Sequence, residues 1–128
     1  MIRPLAVSAL VREKALLALP ILVHRARQRR TITYGELASA INWHHRPLRY
    51  ALEYIRDDIC RPRGLPLITV LVVRQGGLPG ESYLPQGASH PERDADDRAE
   101  WETRRDQVFA YPYWDDLLAE LGLQPVVE

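Results

Sequence analysis

Cysteine is nearly missing from this chain. One residue, Cys60, cannot make an internal disulfide, which fits a reducing compartment. Lysine is equally scarce: of 17 Lys and Arg residues only Lys14 is a lysine, a bias expected of a GC-rich genome, and lysine-dependent active sites have almost no candidate. No apolar run approaches the roughly 20 residues needed to span a bilayer. The N-terminus also lacks the basic, apolar and small-residue order of a secretory leader. The expectation is a cytoplasmic protein with no membrane partner.

What is there is an ordinary globular composition with an uneven charge. Hydrophobic residues make up 46% and charged residues 27% of 128 residues, enough for one core and one domain. The formal net charge of +0 hides a segregation: residues 1–63 carry 12 Arg and Lys against 5 Asp and Glu, and residues 64–128 carry 5 against 12. A basic half attracts polyanions; an acidic half is either exposed surface or a cover for basic residues of the same or a neighbouring molecule.

Apolar periodicity organises the chain. Val7, Leu10, Val11, Leu17, Ala18, Ile21 and Leu22 recur at helical spacing. Pro20 interrupts them, so the helix either kinks there or restarts with Pro20 in its first turn. The run from His24 to Arg30 ends this region as a solvated helix terminus or as a phosphate contact. Thr31–Thr33 suits a short strand. Thr33, with Glu36 three residues later, is a capping box that starts a helix over Tyr34–Ile41, burying Leu37, Ala38 and Ile41. After the turn at Asn42–Arg46, Pro47 opens a helix to Ile59, whose stripe of Leu48, Ala51, Leu52, Ile55 and Ile59 faces inward. Gly64 can close it in the left-handed conformation.

The β-branched run Leu65–Arg74 predicts one strand, and Gln75, Gly76 and Gly77 a tight turn leading into a hairpin, or wing. Residues Leu84–Asp97 read as an exposed loop and Arg98–Gln107 as a charged helix. A short extended piece then precedes a helix over Tyr113–Leu121, closed by Gly122, with Trp114, Leu117, Leu118 and Leu121 on its apolar face. The expected fold class is α+β: a winged helix-turn-helix over about residues 31–84, a helical N-terminal extension at 6–30 and a C-terminal region at 85–128 ending in a helix.

With the stripe of the Pro47–Ile59 helix inward, Arg46, Arg49, Tyr50, Glu53 and Arg56 fall on or near the opposite side. Arginine suits a groove, because its planar fork can bond a guanine edge or a phosphate in two places. Arg49 and Glu53, four apart, could instead pair on an ordinary solvated face. His44 and His45 at the turn can donate to phosphates, and Arg74 with the glycine-rich turn can touch the backbone of a duplex. The partner expected from these residues is duplex DNA, with the helix in the major groove and paired half-sites in a homodimer.

The segment "TITYGELASAI" resembles the DNA-binding domain of alkylguanine-DNA alkyltransferases and alkyltransferase-like proteins. The arginine-bearing helix, the proline-containing "LPLITVLVV" and "GLPGESY" resemble that family's order too, over roughly residues 31–84. The resemblance implies a winged helix-turn-helix that grips DNA. Tyr34 is then the counterpart of a tyrosine that helps rotate a nucleotide, and Arg49, one residue out of register, of an arginine that fills the gap in the stack. The family's acceptor cysteine would fall where Leu71 stands, and without a thiolate no alkyl transfer occurs there.

Other chemistry has weaker support. Cys60 beside Arg61 and Arg63 could be a displaced nucleophile, but it has no assigned base and sits at the wrong end of a helix. The acidic cluster Glu92–Glu102 invites a metal nuclease through Asp94, Asp97 and Glu100, yet its spacing matches no nuclease or calcium pattern. No cofactor, metal or catalysis is expected. The rival to DNA binding is a protein-interaction module, or a dimer in which the acidic half covers the arginines, with Phe109, Tyr111, Tyr113 and Trp114 at a seam or in the core.

Overall fold

A computed structural model describes residues 5–75 and 95–126. Helix α1 (Leu5–Gln28) continues through Pro20. The proline forfeits one hydrogen bond and costs about 3 kcal/mol in a helix interior. Beyond it the helix buries Leu22, Val23 and Ala26, and each buried aliphatic side chain returns about 1.5–3 kcal/mol. Continuation wins over a break. The buried stripe is Val11, Ala15, Ala18, Leu19, Leu22, Val23 and Ala26, whereas Leu10 and Leu17 are exposed. Apolar residues surround much of α1, so their spacing did not single out the face that α3 and the later elements cover.

Strand β1 (Ile32–Thr33) leads directly into α2 (Tyr34–Ala40). The Thr33 hydroxyl accepts the Glu36 backbone N–H at 3.1 Å and the Glu36 carboxylate accepts the Thr33 N–H at 3.0 Å, the reciprocal box that satisfies two orphan donors. Beyond the end of α2, Asn42 has a φ of 55° that lets the Trp43 N–H reach back to the Ala38 carbonyl at 2.8 Å. Lys14, the single lysine, fastens this turn to α1: its Nζ donates to the carbonyls of Ile41 (3.2 Å) and Asn42 (3.3 Å) and lies 5.9 Å from the Trp43 ring centre.

Helix α3 (His45–Tyr54) starts two residues before Pro47, which occupies the first turn, where no intrahelical donor is needed. Leu48, Ala51, Leu52, Ile55 and Ile59 are buried as their spacing requires. The coil then widens into a π-helix over Ile55–Cys60, tightens into a 3₁₀ turn over Arg61–Arg63 and closes at Gly64 with φ 66°. Helical winding therefore outlasts Ile59, but it is α-helical only to Tyr54.

The expected strand over Leu65–Arg74 is mostly not a strand. Ile68–Leu71 form a 3₁₀ turn and only Val72–Val73 make β2, which pairs in parallel with β1 in the register Ile32↔Val72 and Thr33↔Val73. Its partner is two residues long, so the ladder can be no longer. The run is rich in β-branched residues because Ile68 to Val73 are buried throughout. The wing after Gln75, the "GLPGESY" segment and most of the Leu84–Asp97 loop lie outside the described residues. Helix α4 (Ala95–Ala110) already begins within that predicted loop and absorbs the extended piece expected after Gln107. Pro112 then disfavours helical continuation at Tyr111.

Helix α5 (Trp114–Glu120) is closed by Gly122 at φ 72°. Trp101 of α4 donates its indole N–H to the Val70 carbonyl (3.1 Å), and Trp114 donates to the Val108 carbonyl (3.0 Å). Both rings are buried with their polar atoms satisfied. One core takes side chains from all five helices and both strands. The fold is a helix-dominated α+β arrangement with one small parallel sheet, and among the described residues no helix is long and apolar enough to cross a membrane.

Replacing Thr33 with alanine should destabilise the protein by about 1 kcal/mol, the usual loss for an N-cap. The Thr33 hydrogen bonds hold the Glu36 carboxyl below its ordinary value, with Arg25 and Arg30 assisting. That contribution is fully present above the unfolded-state value and is lost as pH falls through the lowered folded value. Thermal melts from neutral pH down through the carboxylate range should therefore show a smaller acid-side loss in Glu36→Gln than in the parent.

Candidate nucleic-acid interface

The exposed side of α2 and α3 is shaped by what the other side buries. Leu37 and Ala38 hold α2, and the Leu48–Ile59 stripe holds α3, so the residues between these positions point outward by helical geometry alone. Tyr34, His45, Arg46, Arg49 and Arg74, together with Gly35 and Gln75, line one open cleft of about 600 Å³. Among the described residues its lining holds no carboxylate. Arg46 and Arg49 are exposed and make no ion pair among the described residues. Arg49 does not pair with Glu53; its guanidinium lies 5.1 Å from the ring centre of Tyr50.

Arg74 reaches this cleft through the sheet. The parallel register Thr33↔Val73 sets the two following residues, Tyr34 and Arg74, side by side. The line-up of β1 with β2 thus joins two residues that are forty positions apart, and nothing in their spacing announces it. Gln75, next to Arg74 and first in the expected turn, enters for the same reason. His44 is the N-cap position of α3 without a side-chain cap bond and is exposed; Tyr50 is 46% exposed. Neither lines the cleft, although each flanks a residue that does.

Arg56 must be removed from this face. It is 7% exposed, and its Nε and Nη2 each donate to the Asp57 carboxylate at 2.7 Å. A straight α-helix sets Arg56 at the border of the apolar stripe. In the π-helix each residue advances by less than the α-helical 100°, so Arg56 turns inward. The fork on Asp57 compensates a charge that burial would otherwise penalise, and it holds the Asp57 carboxyl below its ordinary value, with Arg61 assisting at 3.2 Å.

The acidic half does cover arginines, but different ones. Asp115 at the start of α5 pairs with Arg27, and Glu120 at its end pairs with Arg63, whose Nε donates at 2.7 Å. Glu100 pairs with Arg104 at 3.0 Å within α4. The remaining members of the proposed metal trio, Asp94 and the side chain of Asp97, lie outside the described residues. Among the described residues no three His, Cys, Asp or Glu side chains gather as a metal site would.

Two possible nucleophile positions are apolar. Leu71 is fully buried. Cys60 is also buried, and burial pushes its thiol up to about 11, against weaker opposition from a backbone hydrogen bond at Ile68 and from Arg63. Thiolate chemistry at neutral pH is suppressed there. Of the four aromatic residues read as seam or core, Trp114 is buried, Phe109 and Tyr111 are half-buried and Tyr113 is exposed. Comparison with known protein families, with curated proteins and with solved structures returns no match for this chain.

Arg56→Ala should lower thermal stability by about 1–3 kcal/mol, because it strips a buried, bonded side chain. The folded variant should leave any affinity for nucleic acid within about twofold; a tenfold loss would return Arg56 to the interface. Cys60 should react with a soluble disulfide reagent at neutral pH only on the timescale of unfolding, and rapidly in denaturant. Fast reaction in the folded protein would refute its seclusion.

Proposed function

We propose that the chain binds duplex DNA through the α2–α3 face, as a winged helix-turn-helix whose second helix enters the major groove, in a small non-catalytic regulator or accessory protein. The observation that carries this reading is the open cleft in which Tyr34, His45, Arg46, Arg49 and Arg74 converge, Arg46 and Arg49 being exposed and without an ion pair among the described residues. The chemistry supports it at two levels. Guanidinium groups neutralise phosphates and supply most of the affinity, while a forked donor at the groove floor can distinguish guanine. Tyr34, half-buried at the first turn of α2, adds an aromatic side chain to the cleft lining.

A protein-interaction module built on complementary halves is the weaker reading. Asp115 and Glu120 of α5 are used within the chain on Arg27 and Arg63, so these two are not the natural cover for Arg46 and Arg49. Cytoplasmic location and pairing of two copies on adjacent half-sites belong to the proposal. Alkyl transfer does not, since neither Leu71 nor Cys60 offers an accessible thiolate.

Fluorescence anisotropy with a mixed-sequence duplex tests the reading. Binding should weaken steeply as salt rises from about 50 to 200 mM, because each neutralised phosphate releases condensed counterions. Arg46→Ala with Arg49→Ala should lower affinity by about tenfold or more at fixed salt, with an unchanged melting curve. A folded double variant of parental affinity would take α3 out of the account, and absence of binding at the lowest salt would favour the protein-partner reading.

A further inference from the structure

Four helical ends close in the same way, with one residue at positive φ and the next N–H reaching back five positions. Gly64, Gly122 and Asn42 fill three of these positions, the residue types that tolerate the left-handed conformation. The fourth is Arg29, at φ 54°, after α1: its own N–H bonds the Ala26 carbonyl at 3.1 Å, and the Arg30 N–H bonds the Arg25 carbonyl at 2.9 Å. An arginine is a strained choice there, and glycine would relieve it.

The strained residue opens onto a second cleft, of about 620 Å³, lined by Arg25, Arg29, Arg30 and Arg105 with Glu36 and Asp106. Four guanidinium groups face two carboxylates. Two of the four are engaged: Arg25 donates to the Thr31 carbonyl at 2.7 Å and lies 3.8 Å from Glu36, and Arg105 pairs with Asp106 at 3.0 Å. Arg29 and Arg30 are exposed and bond no carboxylate among the described residues; Arg29 only leans toward the Phe109 ring, 5.9 Å away. The excess positive charge of the cleft is therefore carried by these two.

The two clefts flank one junction. Thr31 and Glu36 border the second, and Tyr34 and Gly35 border the first, so the start of α2, a helix about 10–12 Å across with its side chains, stands between them. When the second helix of such a pair enters a groove, the first crosses the phosphate backbone. A cationic cleft on its far side then meets further phosphates of the same duplex.

We propose that Arg29 and Arg30 form a second phosphate-binding subsite that extends the DNA footprint past α2 to the C-terminal end of α1. This rests on the DNA-binding reading of the α2–α3 face. The subsite positions the duplex and reads no sequence, since it presents charge to the backbone only.

The test is the salt dependence of duplex binding by the full chain. Each lost phosphate contact reduces the slope of log affinity against log salt by about 0.9, so Arg29→Gly with Arg30→Ala should lower it by about 1.8 and weaken binding about sixtyfold near 0.1 M salt, relative to 1 M. The loss should be the same for unrelated duplex sequences. Arg29→Lys with Arg30→Lys should keep the parental slope. Arg29→Gly alone should melt no lower than the parent, which separates loss of binding from loss of folding. A parental slope in the folded Gly/Ala variant, with binding still sensitive to Arg46 and Arg49, overturns the subsite and leaves the α2–α3 reading standing. Failure of the parent to bind duplex at low salt overturns both.

Discussion

The seating of one amphipathic coil on α1 is the constraint from which the rest follows. Leu48, Ala51, Leu52, Ile55 and Ile59 are buried along it, and each aliphatic side chain removed from water contributes about 1.5–3 kcal/mol. That sum dwarfs any preference of the outward side chains, so the rotation of α3 is decided by its apolar side and the arginines take the orientation left to them. Lys14 adds direction by clamping the turn before α3 at two carbonyls. The cationic cleft is thus a consequence of core packing. It would persist as a shape even if its arginines were exchanged for other polar residues.

Electrostatics divides the arginines into two populations. Arg56 is buried on Asp57, and Arg27 and Arg63 tie α5 to α1 and to the end of the α3 coil. These hold the fold. Arg29, Arg30, Arg46 and Arg49 make no ion pair among the described residues and border the two clefts. The equal numbers of acidic and basic residues do not give an even distribution among the described residues: Asp115 and Glu120 are taken up by Arg27 and Arg63, while the two clefts beside α2 are lined mainly by arginines. It is the distribution on which the proposed DNA contact rests.

The same packing buries both positions weighed as nucleophiles, Leu71 and Cys60. The segment that resembles an alkyltransferase acceptor strand is folded into a 3₁₀ turn and a two-residue strand under Trp101, with Leu71 sealed inside. Cys60, the only thiol, contributes to the core.

Helix boundaries set by local chemistry were legible in the residues: the Thr33–Glu36 box, the stripe of α3 and the left-handed closures at Gly64 and Gly122 all act within a few positions of themselves. Helical spacing likewise assigned Arg46, Arg49 and Tyr50 to the outside. Contacts between distant segments were not legible. The run Leu65–Arg74 looked like a strand because β-branched composition reports burial as readily as pairing, and Pro20 left a kink or a restart open because its local cost is visible while the burial beyond it is not. The π-turn that withdraws Arg56 and the parallel register that brings Arg74 to Tyr34 both depend on partners elsewhere in the chain. The sequence by itself determined where the helices cap and which side of α3 is oily, since those are short-range energies. Only tertiary structure decided which arginines are consumed by carboxylates and which remain at the surface, because that depends on the fit of α5 and β2 against elements far away along the chain.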